Sequence, residues 1–266
     1  MNEHFLLSLA ALVALMPFSV VIRRVPGENL HASHWLLLLV AFAGALTYSI
    51  GTNRYGWNPG FASSLWISIA ATLAGYAVLS RFSPVAWRLG PLLMPYLLIL
   101  ALLATIWSGT SAAAPMSEIG PWLAIHLVLA ITTYAAATLS AIAGISVFIQ
   151  ERALKRRQPG RVSRALPSVA EGERLLMRLL ALAVGVLFVG IITGIAELYI
   201  TQARILIFDH KTIFSVLAFA FLGVIWVLHL KSGLRGRRAA RFVLSGYLLI
   251  TLAFPGVKLV SDVILG

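Results

Sequence analysis

The chain has 266 residues, of which 60% are hydrophobic and only 11% charged, with 21 lysines and arginines against 9 acids. Charged residues make up about a quarter of an ordinary soluble domain, so this sequence lacks the polar surface that a water-soluble fold of its length requires. The net charge of +12 lies between apolar runs, not along an amphipathic face with interleaved aromatics, which argues against a nucleic-acid binder. The absence of cysteine excludes disulfides, thiolate zinc sites, thiol catalysis and covalent c-type haem attachment to this chain.

Apolar runs long enough to span a bilayer recur along the chain. The first is Phe5 to Ile22; its leader, Met-Asn-Glu-His, is not basic and no Ala-x-Ala-like site follows, so it reads as a retained helix and not a signal peptide. The others are Trp35–Thr52, Leu65–Leu79, Leu92–Trp107 with Pro95 near its start, Trp122–Gln150, Leu175–Ile200, Thr212–Leu230 and Phe242–Leu265. Most approach the ~20 residues of a spanning helix. They are about twice what a barrel strand needs, and they do not alternate. Backbone groups in lipid must bond internally, so each run is expected to be helical. The longest polar stretch, Glu151 to Arg174, holds Pro159 and Gly160 and reads as a loop. The expected fold is an all-α integral membrane protein, a single polytopic domain over 1–266 with eight transmembrane helices.

Orientation follows from basic residues, which concentrate in cytoplasmic loops. Arg23 and Arg24 follow the first run, and Arg81 and Arg88 the third. Arg152, Lys155, Arg156, Arg157, Arg161, Arg164, Arg174 and Arg178 lie after the fifth. Lys231, Arg235, Arg237, Arg238 and Arg241 follow the seventh. With eight spans, all basic residues except Arg54, Arg204, Lys211 and Lys258 fall on one face, and one missed helix would scatter them over both. Both termini are therefore expected outside the bacterial cytoplasmic (inner) membrane.

No P-loop, dinucleotide turn, His-Glu-x-x-His or nucleophile elbow is present, and a non-enzymatic protein is expected. The residues of interest are ionisable groups in or near the membrane, which are costly there and point to function. His126 lies about one and a half turns inside the outer end of the fifth run. It reads either as a buried neutral imidazole bonded to a neighbouring helix, or as a haem axial ligand or proton-relay group. His210, in Phe208-Asp209-His210-Lys211-Thr212, begins the seventh run with Asp209 as its N-cap. By itself it reads as a loop residue. Both histidines fall at the outer face, so they can share one iron if their helix ends are adjacent. His229 lies nineteen residues further along, roughly 28 Å, too far to share an iron with His210. His229, His31 and His34 read as interfacial residues, with a second site as the alternative for His229. His4 is an outer alternative in the N-terminal segment.

Glu197 reads as a carboxylate paired with Arg204 or Lys211, or as support for His210. Lys258 and Asp262 are expected to pair, being four apart. Arg54, Arg204, Lys211 and Lys258 are also candidates for binding haem propionates. Gly190-Ile-Ile-Thr-Gly194 is a small-xxx-small pattern that permits close helix contact. The basic cluster from Lys231 to Arg238 anchors the topology, and binding to anionic lipid headgroups accompanies it.

Four stretches carry a resemblance. They are Ile125-His126-Leu-Val-Leu with Tyr134 and Glu151-Arg152; Leu166-Pro167 through Glu173-Arg174-Leu; Phe208-Asp209-His210-Lys211-Thr212; and Gly233-Leu-Arg235-Gly-Arg237-Arg238 with the final helix through Phe254 and Lys258. Over roughly 122–265 the sequence resembles the integral-membrane cytochrome c assembly protein family, the haem-handling group that includes CcsA, CcmC and HemX-like proteins. It is most similar to the eight-helix YpjD/HemX-like branch. In the first half only Asn58-Pro-Gly-Phe61 is similar. The resemblance implies binding or transfer of haem, here haem b, at the outer face with histidine axial ligands. His126 and His210 match the family's positions, and His229 matches a deeper histidine of the wider family. It also implies other cytochrome c maturation or haem-biosynthesis membrane proteins as partners, beside the bilayer. Two departures stand out. Thr201–Phe208 lacks the family's tryptophan-rich outer loop, and the second outer histidine near the last helix is absent, with Asp262 close to its place. An auxiliary, regulatory or haem-storing role is therefore expected over a complete haem-delivering synthetase. The alternatives are an ion or small-solute transporter or its regulator, and a structural partner of a membrane assembly.

Overall fold

The computed structural model describes residues 3–22, 32–54, 56, 60–109, 119–157, 160–202, 210–256 and 259–260. Among these there are helices and no strand. The α-helices are α1 (Glu3–Val21), α2 (Ala32–Thr52), α3 (Phe61–Phe82), α4 (Gly90–Ile106), α5 (Pro121–Arg156), α6 (Arg161–Ala165), α7 (Val169–Gln202), α8 (His210–Ser232) and α9 (Gly236–Thr251). A 3-10 turn, Ala86–Leu89, leads into α4, and a π-helical turn, Leu252–Gly256, continues α9. Pro255 lies in that turn. It has no backbone N–H to donate, and a local widening of the helix accommodates the gap. Counting these turns, every helix except the short α6 is long and apolar enough to cross a bilayer, which gives the eight expected spans.

Three helix ends next to basic loops run well past the hydropathy reading. α5 has 36 residues and α7 has 34, roughly 54 and 51 Å at 1.5 Å per residue, against a hydrocarbon core of about 30 Å. Both run past the apolar stretch at the end bearing Arg152 to Arg178, and α9 begins at Gly236, six residues before Phe242. Hydropathy marks the edge of the lipid, whereas lysine, arginine and glutamate sustain a helix in water as readily as leucine does.

Local chemistry fixes these ends. α5 starts with Gly120 extended and Pro121 in the first turn, where the missing proline N–H has no helical partner to lose. It ends on Lys155 and Arg156 with Arg157 left-handed at φ 52°, and cations there complement the helix dipole. α7 starts on a capping box: the Ser168 N–H donates to Glu171 Oε2 at 3.0 Å, and Glu171 N–H reaches back to Ser168 Oγ at 3.4 Å. Between them Gln150 gathers the connection. Its Nε2 donates to the carbonyls of Ser163 at 2.7 Å and Pro167 at 2.9 Å, and its Oε1 accepts from Ser163 Oγ at 2.6 Å.

α5 is the central helix and packs on α3, α7 and α9. From Thr133 to Val147 all of its residues except Ile145 are buried, and many are alanine, serine, threonine or glycine. Small side chains let the α5 and α7 backbones approach, and Ser140 Oγ donates across the contact to the Leu176 carbonyl at 3.0 Å. α1 to α4 pack among themselves and join α5 mainly through α3. Within that group Trp66 Nε1 donates to Ser8 Oγ at 2.8 Å, and Ser8 Oγ lies 2.9 Å from Thr105 Oγ1, linking α3, α1 and α4.

Candidate functional site

His126 lies five residues into α5, at the end opposite the basic loops. Its half-buried ring packs on α7 over Gly190 and Gly194. Nδ1 is 2.9 Å from the Gly190 carbonyl oxygen. A carbonyl can only accept, so Nδ1 carries the proton and donates, and in the neutral ring Nε2 keeps the lone pair. The same carbonyl accepts from Thr193 Oγ1 at 3.0 Å. A Cβ on Gly194 would lie 2.9 Å from His126 Cε1 and 3.1 Å from Nδ1, so the ring occupies space that any other residue would fill. The small-xxx-small pattern is thus a seat for an imidazole. The expected hydrogen bond to a neighbouring helix is present, and it leaves the ring a basic nitrogen.

At this end of α5 and α7 several large apolar side chains are exposed among the described residues. Trp122, Ile125 and Val128 on α5 and Val189 and Ile192 on α7 are all exposed. Glu197, half-buried, follows one turn beyond Gly194 on α7. Its suggested partner Arg204 and the expected cap Asp209 lie outside the described residues, as do Lys258, Asp262 and His31. His210 is the first residue of α8, which packs on α7 and α9. The side chains of His210 and Lys211 lie outside the described part of the structure.

The other histidines have separate settings. His229, at the basic end of α8, donates Nδ1–H to the Leu234 carbonyl at 2.8 Å and so ties down the turn into α9. His34 is buried within the bundle at 4% exposure beside Phe18, Tyr76, Ser80 and Trp87. α2 begins at Ala32, so His34 is already in its first turn, on the face that packs inward. His4 is exposed on α1, which packs on α2 and α4. Among the described residues no three histidines and acids gather as a metal cage.

Two polar groupings escaped the sequence reading. Tyr96 on α4, Tyr134 on α5 and Tyr247 on α9 share hydroxyl hydrogen bonds. Tyr134 is 3.2 Å from each of the others, Tyr96 bonds Tyr247, and Thr138 Oγ1 donates to Tyr247 at 3.1 Å. Phe254 of the π-helical turn packs against Tyr134 with the rings tilted at 47° and centroids 5.8 Å apart. At the basic end Glu173 Oε1 accepts from Gly236 N–H at 3.2 Å and Glu151 Oε1 from Arg237 N–H at 3.1 Å. Two carboxylates from α5 and α7 thus cap the start of α9, and Arg237 lies over the Phe148 ring at 4.2 Å. Neither grouping has a one-dimensional signature, since the partners come from different helices.

Residues 29–265 match the family model described as cytochrome C assembly protein. The chain is 40% identical over 273 residues to an "Uncharacterized 28.8 kDa protein in nifR3-like 5'region" of Azospirillum brasilense, covering 100% of both chains. It is 26% identical over 270 residues to "Inner membrane protein YpjD" of Escherichia coli strain K12, covering 96% of this chain and 98% of that one. No solved structure matches. The eight spans and these relatives identify a multi-pass protein of the bacterial inner membrane.

Proposed function

This chain belongs to the cytochrome c assembly protein family, and we propose that it holds haem b near the outer face of the inner membrane with His126 as an axial ligand. The observation that carries this reading is the 2.9 Å bond from His126 Nδ1 to the Gly190 carbonyl. Ligating histidines commonly donate their other ring N–H to a carboxylate or backbone carbonyl, which fixes the tautomer and raises the basicity of the free nitrogen. The bond also means that the ring's proton is not available for relay without breaking the contact to α7. The exposed Trp122, one turn before His126 on the same face of α5, offers an apolar surface against which a porphyrin would lie.

A bis-histidine haem would need a second imidazole besides His126. The second ligand in this reading is His210 at the start of α8, with Arg204 and Lys211 for the propionates and Glu197 as support. His229 holds a turn, and a second site there is the lesser part of the proposal. The role in this reading is non-enzymatic, and auxiliary or regulatory because Thr201–Phe208 contains no tryptophan and so lacks the family's outer loop. Partners are other membrane proteins of cytochrome c maturation or haem biosynthesis.

The test is purification of the full chain in mild detergent after expression with haem supplied. One haem per chain with a Soret band is expected, lost in His126→Ala and altered in His210→Ala. A wild-type protein carrying no stoichiometric haem overturns the reading.

A further inference from the structure

The two glycines that face His126 are not equivalent. A Cβ on Gly190 would meet only Leu129 Cβ, at 3.8 Å, an ordinary contact. What Gly190 contributes is its main-chain carbonyl, which every residue has. Gly194 contributes empty space: its Cβ would fall 2.9 Å from Cε1, 3.1 Å from Nδ1 and 3.7 Å from Nε2 of the ring. All three atoms belong to one side chain. The strain of an added methyl is therefore relieved by moving the imidazole and not by parting α5 from α7. Helix packing and ring placement become separable at this position.

We propose that Gly194 is the positioning residue for His126. By leaving room for the ring it lets Nδ1 reach the Gly190 carbonyl and so selects the tautomer whose lone pair is on Nε2. Gly190 serves the same ring through an atom that substitution does not remove. The consequence for haem rests on the reading above, but the placement of the ring does not. Outer-shell partners of a metal-bound histidine typically change affinity 10- to 100-fold when disturbed, and the same range is expected here.

The experiment compares the full-length wild type, Gly185→Ala and Gly194→Ala in detergent; an added Cβ at Gly185, also on α7, meets nothing within 4 Å. Haem is titrated by absorbance, and the tautomer of His126 is read without haem from ¹⁵N shifts of ¹⁵N-histidine-labelled protein. The wild type and Gly185→Ala are expected to bind haem alike and to carry the proton on Nδ1. Gly194→Ala is expected to elute as the same species with the same helical circular dichroism, to lose the Nδ1–H signature and to bind haem 10- to 100-fold more weakly. Were the pair only a packing stripe, Gly194→Ala would leave both the tautomer and the affinity unchanged, and that result overturns the proposal. A wild-type ring protonated on Nε2 overturns it too, whether or not Gly194→Ala folds. If the wild type binds no haem yet shows Nδ1–H that Gly194→Ala abolishes, the positioning role stands and the haem reading falls.

Discussion

Tyr96 on α4 and Tyr247 on α9, separated by 151 positions in sequence, are hydrogen-bonded through their hydroxyls inside the bundle. α4 belongs to the group of helices that joins the rest mainly through α3, and α9 packs on α5, α7 and α8. The tyrosine pair, completed by Tyr134, is therefore a direct polar link across the seam between the two halves.

Removing one hydroxyl from that partly buried link leaves two phenols and Thr138 with fewer partners. Tyr247→Phe is expected to destabilise the bundle by about 1–2 kcal/mol, the cost of breaking hydrogen bonds between buried partners. Tyr96→Phe should cost a similar amount, and the double variant less than the sum, because the residues share one network. Unfolding in detergent measures all three. Additive losses would show that the hydroxyls act independently.

The start of α9 depends on Gly236, which has φ +63° and whose Cβ would lie 2.5 Å from Glu151 Oε1. Gly236→Ala places a side chain in the left-handed region, at about 1–2 kcal/mol, and displaces the carboxylate that accepts from Arg237 N–H. Glu151→Gln keeps the shape and removes the charge at the helix N-terminus, for about 0.3–1 kcal/mol. Thermal unfolding at low ionic strength should rank Gly236→Ala below Glu151→Gln, and Glu151→Gln below the wild type. The reverse order would mean that the charge, not the backbone geometry, holds the turn.

Eight spans among the described residues would put both ends of the chain on one side, and the concentration of basic residues in cytoplasmic loops predicts that side to be the exterior. Alkaline phosphatase fused after residue 266 should be active in a bacterial host, and green fluorescent protein at the same place should be dark. The opposite pattern would invert the outer placement of His126 and with it the site of haem binding.

The resemblance was carried by short stretches in one half of the chain, such as Phe208 to Thr212, and the family match extends over residues 29–265. His126 stood out because an imidazole near an apolar run is costly, and the structure gives it a partner on α7. For Gly190 and Gly194 the spacing announced a close approach of helices. Nothing in the spacing said that one glycine would offer a carbonyl and the other a gap. The burial of His34 was not legible, because a histidine near the end of a run has the same local sequence whether its face is covered or not.

The sequence by itself determined the eight spans, since in lipid each helix must close its own hydrogen bonds and the apolar length needed for that is written in consecutive residues. Which side chains meet was decided by tertiary structure alone. The His126–Gly190 bond joins residues 64 apart and Arg237 reaches Glu151 over 86. Such pairings depend on how helices rotate and lean against one another, which is set by packing summed over many contacts and not by any local run of residues.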